Sequence, residues 1–283
     1  MSTGEGHGVV NDEVAPPGVD ITRPSVARVY DFMIGGKDHF AIDRMVAERA
    51  LQINPDAPAV GFACRAFLRR VVRFMAGEAG IRQFLDLGSG LPSNGNVHDI
   101  AQAVDPGIHV VYVDNDPMVL AHGRALLADE VTTTVIQADV RSPEDILNAP
   151  ETRQYLDFDR PVGLLMLSIL HHIRDDEDPL GIAKTLRDAL PAGSHVAIAH
   201  FCDPGDAYPV ESAKAKEVER IFTESLGTGR FRAEEEIRAY FGDFELLEPG
   251  LVPLREWRTD PVEVWPEQVD TYHTLLGGVA RKP

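Results

Sequence analysis

The stretch that most constrains this chain is Phe84-Leu85-Asp86-Leu87-Gly88-Ser89-Gly90, an apolar run closed by an acid and a Gly-x-Gly turn. A second apolar run, Val110-Val111-Tyr112-Val113, ends in Asp114, 24 residues after Gly90. Strand, glycine turn, helix, strand and acid make the first half of a nucleotide-binding α/β unit. The glycines let backbone approach a ligand without side-chain interference. An acid at the carboxyl end of the second strand is placed to accept both hydroxyls of a ribose. A dinucleotide fingerprint would carry a third glycine at position 93, which is Ser, and Pro92 occupies the phosphate turn. The turn therefore suits a ligand with a ribose and no phosphates better than a pyrophosphate.

The pattern continues along the chain. Apolar strands are expected at Ile108 to Val113, Thr132 to Gln137, Pro161 to Ser168 and Ser194 to Phe201, with helices at Val97 to Val104, from Pro117 to about Leu127, from Ser142 and from Pro179 to about Leu190. Asp116-Pro117 reads as an N-cap followed by proline at the first helical position. Strands alternating with helices require right-handed crossovers and a parallel, doubly wound sheet. Further helices are expected over 211–226 and 233–241, and final strands at Phe244 to Leu247 and Thr274 to Ala280. Ahead of the sheet lie three helical patterns, starting at Pro24-Ser25, at Phe40 and at Ala57, the last reaching Ala76. The expected fold is α/β: a Rossmann-like, doubly wound seven-stranded sheet with about five parallel strands, an antiparallel C-terminal strand and an N-terminal helical extension. The expected organisation is a disordered tail over 1–22 and one domain over 23–283, divided into a helical cap (23–80) and a Rossmann-like core (81–283).

The formal charge of −18 over 283 residues speaks against a nucleic-acid partner, which needs clustered Lys and Arg. Cys64 and Cys202 are the only cysteines, too few for a disulfide framework or a paired-cysteine metal site. No apolar run reaches the ~20 residues that span a bilayer. With neither a signal peptide nor a membrane partner in view, a cytoplasmic chain is expected.

Ligands in such sheets bind beyond the carboxyl ends of the strands. Those ends carry Asp86, Gly88, Asp114, Asp139, Ser168 and His200. Asp86 either touches the ligand or fixes the glycine turn through its amides. Asp139 either bonds an exocyclic amine or braces the turn before Ser142. His171 and His172, read as strand residues, point to opposite faces and cannot easily share a metal ion. His172 and His200 stand as candidates for a general base, on position alone.

Taken together, these residues resemble the class I methyltransferases that use S-adenosylmethionine. Asp86-Leu87-Gly88-Ser89-Gly90 matches their first motif, Asp114 their ribose acid, Ala138-Asp139-Val140 their adenine motif, and Leu165 to His172 their fourth strand. Pro24-Ser25-Val26-Ala27-Arg28-Val29-Tyr30-Asp31-Phe32-Met33-Ile34-Gly35-Gly36-Lys37-Asp38-His39-Phe40 resembles the N-terminal signature of a bacterial subfamily of these enzymes. The resemblance implies S-adenosylmethionine as cofactor. Gly88 and Gly90 would touch its methionine moiety, Asp86 its amino group, Asp114 its ribose. Asn115, Asp139 and the Val140 amide would meet the adenine, and Ser168 the methionyl part. Tyr30, and Lys37 less directly, would cover the carboxylate side. A small-molecule methyl acceptor, approached by in-line displacement, is the implied chemistry. The alternatives are a non-catalytic cofactor-binding protein and a nicotinamide-dependent oxidoreductase, the latter opposed by Ser93.

Overall fold

The computed structural model describes residues 15–16, 18–92, 95–126, 131–261, 263 and 270–283. Five parallel strands form the centre of the sheet: β1 (Gln83–Leu87), β2 (His109–Asp114), β3 (Thr133–Gln137), β4 (Gly163–Leu167) and β5 (His195–Phe201). Two-residue strands β6 (Glu245–Leu246) and β7 (Val252–Pro253) and the long β8 (Leu275–Arg281) complete it. The order is β3-β2-β1-β4-β5-β8-β6, with β7 also on β8, and β8 runs antiparallel to β5. The sheet thus has one strand more than the seven expected, the addition being Val252–Pro253.

Side chains alternate between the two faces. Leu85, Leu87, Val111, Val113, Leu164 and Met166 enter one apolar cluster, with Ile182 and Leu186 of the helix α8 (Pro179–Asp188). Phe84, Val110, Tyr112, Leu165, Ala197 and Val279 enter the other, with Phe67, Val71 and Met75. This is the period-two consequence of the pleat in strands covered on both sides. Each large side chain so buried contributes roughly 1.5–3 kcal/mol.

Three helices precede the sheet: α1 (Val26–Met33), α2 (Ala41–Ile53) and α3 (Ala57–Arg73). Helix α3 runs into a π-helical turn, Phe74–Glu78. Four helices follow, α4 (Val97–Gln102), α5 (Pro117–Leu126), α6 (Pro143–Asn148) and α7 (Pro150–Tyr155); the expected end of α5 at Leu127 lies outside the described residues. Ser142 makes no side-chain cap at α6. After β5 come α9 (Pro209–Leu226), stopped by Gly227 at φ 73°, and α10 (Glu234–Ala239). Only glycine takes such a φ at low cost, which is why α9 ends there.

The N-terminal helices are organised by the carboxylate of Asp43, which has no exposed surface. It accepts from the Ser25 amide (2.9 Å), the Phe40 amide (2.9 Å) and Nε of the buried Arg28 (2.9 Å). Arg28 in turn donates to the carbonyls of Asp20 and Arg23. The Ser25 hydroxyl reaches across to Asp116, tying the start of α1 to the sheet. The Asp38 amide donates to Asp31, and a β-carbon at Gly36 would fall 1.9 Å from the Asp31 carboxylate. The Ser-x-x-Arg and Gly-Gly spacing of the signature thereby has physical reasons. Within the tail expected over 1–22, Val19 and Ile21 pack with Phe40 and Met118, and 1–14 lie outside the described residues.

Removing one partner of a buried ion pair strands the other. Asp43→Ala is expected to lower the unfolding free energy by about 3–5 kcal/mol in urea titration. Asp188→Ala, which breaks an exposed pair with Lys184, should lower it by less than about 1 kcal/mol. Equal losses would remove Asp43 from its organising role.

Candidate active site

The strand order reverses between β1 and β4, which opens a crevice at their carboxyl ends. A cavity of about 1010 Å³ lies there. Its walls include Tyr30, Asp86, Gly88, Gly90, Asp114, Asn115, Asp139, Val140, Ser168 and His172, so nearly every residue singled out from the sequence meets in one place.

The glycine turn is held from β2. The Val113 carbonyl accepts from the Gly88 amide (2.8 Å) and the Ser89 amide (3.2 Å). The Asp114 carboxylate accepts from the amides of Gly90 (2.9 Å) and Asp116 (2.9 Å). Among the described residues, none donates a hydrogen bond to the Asp86 carboxylate. Gly88 has φ 68°, and a β-carbon on it would meet Ile169 Cδ1 at 2.6 Å, so the loop after β4 packs directly on this glycine. Asp116 caps α5, accepting the Met118 amide at 2.8 Å.

Asp86 and Asp114 are both buried. Burial pushes the Asp86 carboxyl up to about 7, with Asp114 adding to the rise and Arg65 opposing it. Burial likewise raises Asp114, against the amides of Asp116 and Gly90 that favour its charged form. Asp139 lies below the usual carboxylate range because the Arg141 guanidinium grips it, and the Arg141 amide bonds it too. It lines the cavity and braces the turn together, since the Ser142 amide donates to its carbonyl. Asn115 is exposed at the cavity edge, and Val140 is buried. Tyr30 donates to the Gly61 carbonyl at 3.3 Å, and burial raises its phenol.

Arg65 was not legible as a site residue. It stands over the Tyr30 ring, 5.9 Å from the centroid, and its Nε is buried without a partner. The signal was the face of α3 carrying Gly61, Cys64, Arg65 and Leu68 at helical spacing, all four of which line the cavity. Lys37, by contrast, is exposed and away from it.

The histidines differ from expectation. Ser168 adopts φ 64°, which ends β4 and turns the chain into a 3₁₀ turn, Leu170–His172. His171 and His172 therefore share a turn rather than opposite faces of a strand, their rings 4.5 Å apart. Both line the cavity. Burial holds His172 near 4 and His171 well below its ordinary value, so both are neutral at pH 7. His200 is not a cavity residue: it is fully buried, its Nε2 3.1 Å from an Arg232 nitrogen and its Nδ1 2.6 Å from the Phe201 carbonyl. Among the described residues no group of three His, Cys, Asp or Glu side chains is placed to hold a metal ion. No described helix is long and apolar enough to cross a membrane.

A family model described as S-adenosyl methyltransferase matches residues 12–283. The chain belongs to that family. S-adenosylmethionine is its cofactor, and the nicotinamide alternative finds no support in the sheet or the family. A solved structure from Thermobifida fusca YX, described as a candidate methyltransferase, is 45% identical, covering 94% of this chain and 98% of that one with a TM-score of 0.87. A DUF574 family protein from Streptomyces avermitilis MA-4680 is 38% identical, covering 93% and 99%, again with a TM-score of 0.87. A SAM-dependent methyltransferase from Anabaena variabilis ATCC 29413, 16% identical over 92% of this chain and 97% of that one, shares the fold with a TM-score of 0.50. No curated protein matches the chain.

The raised Asp86 carboxyl has a direct consequence. Its proton is held more tightly in the folded chain than in the unfolded one. Its contribution to stability is present below the ordinary value of 3.8 and is lost as pH rises to about 7. Asp86→Asn removes that loss, so its stability relative to the parent chain should grow between pH 4 and 8 in urea titrations. A difference independent of pH would place the proton elsewhere.

Proposed function

We propose that the chain transfers a methyl group from S-adenosylmethionine to a small-molecule acceptor by in-line displacement, and that it does so in the cytoplasm without a membrane or nucleic-acid partner. The observation that carries this reading is the continuity of the cavity. It joins the strand tips bearing Asp86, Gly88, Asp114 and Asp139 to a chamber walled by α1, α2 and α9. A cavity covered by helices on that side suits a small acceptor rather than a macromolecular surface.

In this reading residues 23–80 are a cap on a core of 81–283, and the signature around Ser25, Arg28 and Asp43 is what holds the cap closed. Asp114 accepts the ribose hydroxyls through the lone pairs left by its two amide bonds. Asp139 and the Val140 amide meet the adenine, with Asn115 at its edge. The backbone of Gly88 and Gly90 lies against the methionine moiety, beside Ser168. Two unsatisfied groups fit an amino acid: the buried Asp86 carboxylate, which accepts no hydrogen bond from the described residues, and the unpartnered Arg65 Nε. Asp86 takes the ammonium and Arg65 the carboxylate, with Tyr30 covering that side. When bound, the cofactor supplies a methyl already activated on a sulfonium. The protein's part is to orient the two partners and exclude water. A base is needed only for an acceptor that must lose a proton, and His172 is the candidate left on the cavity wall.

Calorimetry with S-adenosylmethionine and with S-adenosylhomocysteine tests the reading. Asp114→Ala is expected to weaken both by about 100-fold, the loss of two hydrogen bonds to a charged acceptor. No heat with either compound would end the proposal.

Pairing with an ammonium favours the charged form of Asp86, so binding releases its proton. Affinity should therefore rise with pH and level off above about 7. Asp86→Asn should bind more weakly and lose that slope. A parent chain whose affinity is flat from pH 5 to 8 would remove Asp86 from the ammonium.

A further inference from the structure

The cavity is not uniform. Its charged lining, which includes Asp86, Arg65, Asp114, Asp139, Arg141 and Glu177, comes from the strand tips, their loops and the first and third helices with the segment before them. Among the described residues, the lining contributed by α2, α9 and the segments 227–231 and 271–274 includes no charged side chain. That end is walled by Val218, Phe222 and Leu226 of α9 together with Phe201 and Phe231. The rings are ordered. Phe201 stacks on His171 with centroids 3.7 Å apart and planes 12° from parallel, and on Phe231 at 4.6 Å and again 12°. Phe222 lies 6.4 Å from Phe201, 26° from parallel.

Three polar atoms in this apolar setting are buried without a hydrogen-bond partner: His171 Nε2, His172 Nδ1 and Thr228 Oγ1. All three residues line the same cavity. Unsatisfied buried polar groups are rare, because each forfeits the hydrogen bonds it makes in water. Three among the residues lining one cavity point to a ligand that completes them. A charged ligand group here would be stripped of water with no counter-charge to meet it. A flat ring would extend the set of near-parallel rings already present.

Resting on the methyltransferase reading above, we propose that this end of the cavity is the acceptor subsite, and that it takes an uncharged, planar aromatic molecule bearing a hydroxyl. The ring packs against the Phe201, Phe222 and Phe231 wall. The hydroxyl engages the polar group formed by His172, His171 and Thr228. The specificity is double: apolar walls reject a charge on the ring, and unpaired polar atoms reject a ring without a hydroxyl.

The test is equilibrium binding, by calorimetry on the full chain with and without saturating S-adenosylhomocysteine. The probes are 2-naphthol, naphthalene and 2-naphthoate. Naphthol should bind at least tenfold more tightly than either of the others. His172→Ala with Thr228→Val should collapse the preference for naphthol over naphthalene while S-adenosylhomocysteine binding stays unchanged. Val218→Trp, or Ala215→Phe if that variant fails to fold, fills the chamber and should abolish naphthol binding, again sparing S-adenosylhomocysteine. Naphthoate binding as well as naphthol, no naphthol binding, or naphthol binding indifferent to the filled chamber would overturn the assignment. Loss of S-adenosylhomocysteine binding to the parent chain is a different result, and it counts against the methyltransferase reading itself.

Discussion

The structure of the site depends on where one buried carboxylate puts the N-terminal helices. Asp43 gathers two backbone amides and the Arg28 guanidinium into a point with no exposed surface. A buried charge is tolerated only when its partners are placed for it, so the three segments meeting there, 25–28, 40 and 43, cannot shift independently. The Ser25 hydroxyl then carries that rigid unit to Asp116, one turn from the acid that closes β2. The cap and the strand tip are thereby linked through polar bonds, while two separate apolar clusters, around Phe40 with Met118 and around Val46 with Phe222, seal the seam on either side. The N-terminal wall of the cavity is thus tied to the sheet by this linkage.

On the other side of the cavity the same economy of groups appears in the backbone. Gly88 and Ser168, at the tips of adjacent strands β1 and β4, both have positive φ. For glycine this is free of side-chain conflict; for Ser168 it costs of order 1–3 kcal/mol. Ser168 is held there by its amide bond to the Ala199 carbonyl at 2.9 Å and by the contact of its hydroxyl with Cys64 Sγ at 3.4 Å. The turn it forces lays Ile169 across Gly88 and swings His171 and His172 onto the cavity wall. Arg232 fixes the far end of that turn by donating to the carbonyls of Leu170 and Ile173 and pairing with Asp175. Strain at one residue is thus sustained by the hydrogen bonds and packing around it.

The sheet was legible because its cause is local. Buried parallel strands must be continuous apolar runs, and Val110 to Val113 or Gly163 to Leu167 can be little else. Glycine turns and strand-end acids were legible for the same reason, since Gly88, Gly90 and Asp114 sit at fixed offsets from those runs. What escaped was set by distance in sequence. Arg65 lines the cavity only because α3 packs back onto the sheet, and its own neighbourhood announces that only through the spacing of Gly61, Cys64 and Leu68 on one helix face. His200 ends an apolar run as Asp114 does, yet faces Arg232, 32 residues away, inside the core. The histidine pair was misplaced by a single torsion: extending β4 through residue 172 assumes an extended Ser168, and one positive φ reverses which face both rings see. The two-residue β7 is too short to leave any periodic trace.

The partition of charge within the cavity follows from which elements build each end. Strand tips and the helix starts behind them present unpaired amides, and carboxylates such as Asp114 and Asp116 collect there to satisfy them. Helices α2 and α9, packed on one another by an apolar stripe, bring only apolar side chains to the cavity, whereas α1 and α3 also bring Arg28 and Arg65. One end is consequently rich in hydrogen-bonding groups that are short of water. Asp86 is the clearest sign, since burial holds its proton up to about 7 although Arg65 acts against it. The other end offers shape, ring faces and three unpaired polar atoms, and the lining that α2 and α9 bring to it carries no charged side chain. A site divided in this way suits a polar, zwitterionic ligand at one end, and at the other the uncharged ring proposed above. Under the proposed methyl transfer, orienting two ligands end to end in such a cavity is the larger part of accelerating the step between them, and a charged catalytic side chain is not required for that.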